Sequence, residues 1–153
     1  MVTDEIKKTV RMELAHMTEV LHLSVENVAK LYRHGQDCWP LESAALLFGH
    51  LEGSVVTVTR VELLDNVLRS RIRFEIDPVA EYELLLDAET RGEELVGIFH
   101  SHPAPPQPSE ADLQNMRLNP VVWLIASRTT GTWTSRAFVL KRRKAVDVPV
   151  ILS

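Results

Sequence analysis

Two histidines, a serine and an aspartate fall close together in this chain, in Phe99-His100-Ser101-His102-Pro103 and, five residues further on, Ser109-Glu110-Ala111-Asp112. These are the side chains that a catalytic zinc site uses. Zinc takes neutral imidazole nitrogens and carboxylate oxygens, and a catalytic site has three protein ligands with a fourth position open to water.

If Leu95 to Phe99 is a buried strand, side chains at i and i+2 share a face, so His100 and His102 project together while Ser101 faces away. Pro103 cannot continue a sheet ladder, and Ala104-Pro105-Pro106-Gln107-Pro108 is too rich in proline for helix or central strand. Ser109 then begins a helix as its N-cap. Asp112 falls at the third helical position, one turn in, where its carboxylate can swing back toward the histidines as a third ligand. Each part also has a simpler reading. Ser109-x-x-Asp112 is the spacing of a capping box, and an acidic side chain is favoured in a first helical turn. Either histidine alone fits a strand end where hydrogen bonds satisfy its ring. The joint occurrence favours metal, because a cap does not need His-x-His-Pro upstream and a strand end does not need Ser-x-x-Asp downstream.

The same residues resemble the JAMM motif of the MPN-plus metalloproteases, which include the deubiquitinating subunit of the proteasome lid. The resemblance implies that His100, His102 and Asp112 bind one zinc ion per chain, that Ser109 helps stabilise a tetrahedral oxyanion, and that a glutamate far upstream is the general base. In the family that glutamate usually follows a proline and opens a short run ending in glycine. Pro40-Leu41-Glu42-Ser43-Ala44-Ala45-Leu46-Leu47-Phe48-Gly49 has this form, with Glu42 at the matching position. By sequence pattern alone Glu42 would be a helix-terminal surface carboxylate, no better placed than Glu75 or Glu94. Val96-Gly97-Ile98-Phe99, Asn66 and Val122-Trp123-Leu124-Ile125-Ala126-Ser127 extend the likeness over about residues 21 to 140.

The chain departs from the family pattern in three places. Five residues separate Pro103 from Ser109 where the family usually has six, a difference that an irregular loop can absorb. Ala44 and Ala45 stand where cysteine and glycine are common. The segments Asn66 to Arg73 and Leu113 to Pro120, where eukaryotic members carry substrate-gripping insertions, are short, so recognition would depend on other surfaces or on a partner.

The fold implied is α/β, a cytidine-deaminase-like MPN domain with a central mixed β-sheet flanked by helices and an extra N-terminal helix. Residues 1–20 would form that amphipathic helix and 21–153 the catalytic domain. The activity implied is zinc-dependent removal of ubiquitin or a ubiquitin-like modifier from lysine side chains, with conjugates, and the proteasome or another protein, as partners. The short chain is similar to prokaryotic or archaeal stand-alone members. Two alternatives remain open: C-terminal processing of small sulfur-carrier proteins of the ubiquitin fold, and a non-catalytic MPN scaffold. A similar pattern also marks a bacterial family linked by name to DNA repair, which the acidity of this chain and the setting of Glu42 disfavour.

Composition agrees with one globular domain: 153 residues, 45% hydrophobic and 25% charged. A formal net charge of −4 gives no general attraction to nucleic acid or acidic membrane. Lys141-Arg142-Arg143-Lys144 is a local basic cluster that reads as the solvated end of a strand. Cys38 is the single cysteine, which rules out an internal disulfide or a cysteine-based zinc site and fits a reducing cytoplasm. The sequence lacks both a membrane-spanning apolar run and a secretory signal.

Periodicity supplies the elements that must position the site. Residues 4 to 18 read as an amphipathic helix, with Ile6, Val10, Leu14 and Met17 on one face. Leu21 to Leu23 reads as a short strand, followed by a helix capped by Ser24 and ended by Gly35. Glu42 to Phe48 is short and apolar, helix or strand by periodicity alone, and the family resemblance implies that Glu42 starts a strand. Strands are expected over Val55 to Leu64, Arg71 to Ile76 and Glu94 to Phe99, with a helix over Val79 to Thr90 closed by Gly92. Glu110 to Leu118 is the site helix, Val121 to Ser127 and Trp133 to Leu140 are closing strands, and Ala145 to Leu152 reads as one final strand.

Overall fold

The computed structural model describes residues 17–65 and 78–153. The expected strand over Arg71 to Ile76, Asn66, and all but the last two positions of the expected N-terminal helix lie outside the described residues.

Ala44 to Phe48 is apolar at every position, the pattern of a strand covered on both faces. It forms the centre of β2 (Ser43–Glu52), where these residues are 0–2% exposed. β2 lies between β3 (Val55–Leu64) and β4 (Glu94–Ser101), antiparallel to both. At Gly49 the register with β3 shifts, and an added Cβ would fall 1.9 Å from the Thr57 carbonyl oxygen. Only glycine allows that backbone approach.

The remaining elements extend this centre. Among the described residues there are three helices: α1 (Val25–Cys38), α2 (Pro78–Thr90) and α3 (Glu110–Leu118). With β1 (Val20–Leu23), β5 (Val122–Ser127), β6 (Thr134–Lys141), β7 (Lys144–Val148) and β8 (Val150–Leu152), the mixed sheet runs β7-β6-β5-β4-β2-β3-β1-β8. β4 and β5 are parallel, so α3 is their crossover.

Residues 145 to 152 are two strands, where the sequence suggested one. Pro149 has no N–H to give a ladder, and the strand breaks there. β7 pairs with β6 at one end of the sheet and β8 with β1 at the other, although a single residue separates them, so the sheet curls until its ends nearly meet. The Pro149 carbonyl accepts from Leu21 N–H at 2.9 Å, opening the β8–β1 pairing. The basic cluster is the β6–β7 turn itself, with Arg142 and Arg143 at φ 52° and 66°.

Alternate residues of each strand feed two apolar layers. Val122, Leu124 and Ala126 join Ala45, Leu47, Phe99 and Leu31 of α1, whereas Trp123 and Ile125 join Leu46, Ile98, Ala88 of α2 and Met116 of α3. Gly35 does not end α1, which continues to Cys38. An added Cβ at Gly35 would lie 2.8 Å from the Trp133 ring, so this glycine serves close packing within the helix.

Candidate functional site

Strand parity assembles the site. Ile98 belongs to the layer under α2 and α3, so His100, two residues on, shares that face at the end of β4, and His102 follows it just beyond. On β2, Leu46 marks the same layer, which puts Ala44 and then Glu42 on that face, with Ala44 the direct cross-strand partner of His100. α3 is held over this face by Met116 and Leu113 and brings Asp112 in from its first turn. Four ionisable side chains are thereby buried together: Glu42, His100, His102 and Asp112 are 5–6% exposed.

Their distances fit a tetrahedral metal. Asp112 Oδ1 lies 3.4 Å from His100 Nε2, and Asp112 Oδ2 lies 3.7 Å from His102 Nε2. One ligand atom from each of the three residues falls within 4.8 Å of the others. Ligands about 2.0–2.1 Å from a tetrahedral zinc ion stand about 3.3 Å apart, so the cluster would draw together to enclose the ion. Two imidazoles and one carboxylate are donors that suit zinc. The five-residue loop between Pro103 and Ser109 is long enough to bring Asp112 to the histidines.

The cap and the ligand are not competing roles for Asp112, because a carboxylate has two oxygens. Ser109 Oγ accepts from Asp112 N–H at 3.1 Å, and Asp112 Oδ2 accepts from Ser109 N–H at 2.9 Å, a complete capping box. That box turns the carboxylate so that Oδ1 faces His100. His102 is fixed by its own loop. Its Nδ1 lies 3.1 Å from the Ala104 carbonyl and its Nε2 lies 3.1 Å from the Gln107 carbonyl. The Ala104 N–H also lies 3.2 Å from Nδ1, so these contacts fit the tautomer that accepts at Nδ1 and donates from Nε2 to Gln107. Ligation through Nε2 would exchange that bond for the metal and move the proton to Nδ1, where the Ala104 carbonyl can accept its hydrogen bond.

Burial sets the charge states. It holds the His100 ring well below the usual imidazole range, to about 4; the Asp112 charge opposes this shift and His102 adds to it, and the neutral ring that results is the ligating form. Burial, reinforced by the Asp112 charge, pushes the Glu42 carboxyl up to about 7, and its Oε1 lies 3.8 Å from His100 Nε2. A carboxyl titrating near neutrality beside metal-type ligands suits proton transfer. Ser109 is exposed at the start of α3. Its oxygen is used by the cap, and its hydroxyl hydrogen is free to be donated.

One pair was not given a role by the sequence reading. Ser101 faces away from the metal-type cluster, as parity requires, and its Oγ is 2.5 Å from Ser43 Oγ and accepts from Ser43 N–H at 3.1 Å. The signal lay in the motif, since a serine between two such histidines in an apolar strand needs a polar partner. Among the described residues no helix is long and apolar enough to cross a membrane.

Comparison with known proteins gives consistent results. Residues 24–140 match the family described as prokaryotic homologs of the JAB domain. The chain is 43% identical to a desampylase of Pyrococcus furiosus over 112 residues, covering 72% of this chain and 78% of the relative. It is 32% identical to a desampylase of Haloferax volcanii over 105 residues, covering 65% and 74%. A Desulfitobacterium hafniense protein of known solution structure superimposes with a TM-score of 0.77 at 28% identity, over 87% of this chain and 92% of that one.

Proposed function

This chain belongs to the family of prokaryotic JAB-domain homologues, and from that premise we propose that it is a zinc-dependent isopeptidase cleaving a ubiquitin-like modifier from lysine side chains. The observation that carries the reading is the buried Glu42 carboxylate beside the His100, His102 and Asp112 cluster, a proton acceptor next to a metal-type donor set. The name desampylase, borne by both archaeal relatives, is that of enzymes acting on conjugates of ubiquitin-like proteins and supports this substrate class. We assign the activity to residues 21–153, with residues 1–20 outside the catalytic domain.

In this mechanism His100, His102 and Asp112 would hold the zinc ion, which when bound supplies a Lewis acid and lowers the pKa of water toward neutrality. Glu42 takes a proton from the attacking water and later delivers it to the departing lysine amine. Burial raises its carboxyl and a bound cation would lower it, the opposing pulls that keep a carboxylate able both to take and to return a proton. Ser109 donates its hydroxyl hydrogen to the oxyanion that develops on the scissile carbonyl. Asp112 stays oriented because its second oxygen is held by the Ser109 N–H.

The test is a substrate panel with Glu42→Gln beside the wild type. A lysine isopeptide conjugate of a ubiquitin-like protein should be cleaved by the wild type, while Glu42→Gln keeps its zinc and loses turnover. Cleavage of a linear C-terminal extension but not of the isopeptide would instead indicate processing of a sulfur-carrier precursor. Wild-type turnover by Glu42→Gln would remove Glu42 as the base.

A further inference from the structure

Ser101 and Ser43 adjoin the site residues in the chain, and the chemistry above has no use for them. They are 3% and 0% exposed, and they are direct partners at the last pairing of β2 with β4. They face the layer of Ala45, Leu47 and Phe99, where two alanines would satisfy packing alone. The Ser101 hydroxyl instead makes two bonds to Ser43, one to its N–H and one to its hydroxyl. It thus replaces a backbone partner for the first amide of β2. The opposite face of the same strand ends carries the chemistry: Glu42 precedes Ser43, His100 precedes Ser101, and Glu42 Oε1 lies 3.8 Å from His100 Nε2.

We propose that the Ser43–Ser101 hydroxyl pair is a positioning clamp, pinning the start of β2 to the end of β4 so that Glu42 and His100 are held facing one another. The inference rests on reading the cluster as a metallo-hydrolase site and goes beyond it by giving the middle residue of His-Ser-His a defined task. Ser101 is a positioning residue and touches no reacting atom. Removing its hydroxyl leaves a buried N–H and a buried hydroxyl on Ser43 without these bonds, and the β2 terminus shifts to satisfy them elsewhere.

The experiment compares wild type, Ser101→Ala, Ser101→Thr and Ser43→Ala by cobalt(II) titration, by kcat and KM on the isopeptide conjugate at 25 °C, and by Tm. Ser101→Ala should weaken cobalt(II) binding by about 10-fold and lower kcat by about 10- to 100-fold, as loss of outer-shell support does, with KM unchanged. Ser101→Thr, which keeps the hydroxyl, should restore both. Ser43→Ala, which keeps the amide bond to Ser101, should show the same changes more weakly, and it decides the matter if Ser101→Ala does not fold. Wild-type cobalt(II) affinity and kcat in the alanine variants, with only Tm reduced, would overturn the clamp. If the wild type binds cobalt(II) but cleaves no conjugate, the isopeptidase reading fails and the cobalt(II) arm still decides the clamp. A wild type that takes up no cobalt(II) overturns both.

Discussion

Ser109→Ala separates the two tasks assigned to one exposed hydroxyl. As N-cap, Ser109 Oγ accepts one hydrogen bond, from Asp112 N–H at 3.1 Å. Losing such a cap costs about 1 kcal/mol, which for a domain of this size lowers Tm by about 2–4 °C. The reciprocal bond, from Ser109 N–H to Asp112 Oδ2 at 2.9 Å, comes from the backbone and survives the substitution. Asp112 therefore keeps its orientation, and metal affinity should be unchanged. As oxyanion donor, the hydroxyl is lost outright, which costs about 2.7–4 kcal/mol of barrier, or about 10²- to 10³-fold in kcat. The assay reads Tm by calorimetry, zinc affinity by competition with a chromophoric chelator, and kcat on a fluorogenic isopeptide conjugate. The expected pattern is a small fall in Tm, no change in zinc affinity and a large fall in kcat. A kcat within about threefold of wild type beside the expected Tm loss, far short of the effect of removing an oxyanion donor, would show that Ser109 is a cap alone. Weakened zinc binding would show that the cap, and not the backbone bond, orients Asp112.

Two further predictions concern the scaffold. Arg142 and Arg143 both sit at positive φ in a two-residue hairpin, the geometry that Asn-Gly adopts most readily; Arg142→Asn with Arg143→Gly should raise stability by about 1–2 kcal/mol in urea unfolding, and no gain would mean the turn is unstrained. Burial works against the Glu93 carboxylate, but hydrogen bonds from Thr59 and Arg60 and the charges of Arg60 and Arg91 outweigh it and hold its carboxyl below the usual range. Its folded-state pKa is depressed, so its stabilisation is present above the unfolded value and is lost as pH falls through the folded one. Glu93→Gln should accordingly lower Tm at pH 7, with the gap to wild type closing as pH falls below about 4.3; a gap independent of pH would refute this.

Local pattern and long-range closure were legible to different degrees. The helix at Glu110–Leu118 and the strand that delivers the histidines follow from apolar periodicity and from Ser109 and Pro103, because these signals act within a few residues. Periodicity left Glu42 to Phe48 open between helix and strand, and only the family resemblance put Glu42 at the start of a strand. Gly35 misled because glycine ends helices by its backbone freedom but also lies inside them where a ring, here Trp133, packs against the axis. The split of the C-terminal strand depends on pairing with β6 and with β1, which no local pattern encodes. At the site, a cap and a ligand looked like alternatives for Asp112 because a sequence does not show that one oxygen can serve each. Ser101 was legible as facing away from the cluster, and its partner Ser43 was not, since the register of β2 with β4 sets that pair.

The most direct test of the account is zinc stoichiometry by elemental analysis on wild type and Asp112→Asn prepared identically. The account predicts about one zinc per chain in the wild type and clearly less in Asp112→Asn, which loses an anionic ligand. A wild type that holds no zinc, even after zinc is supplied and the excess removed, would contradict the metal centre and return the cluster to a buried polar network in a scaffold.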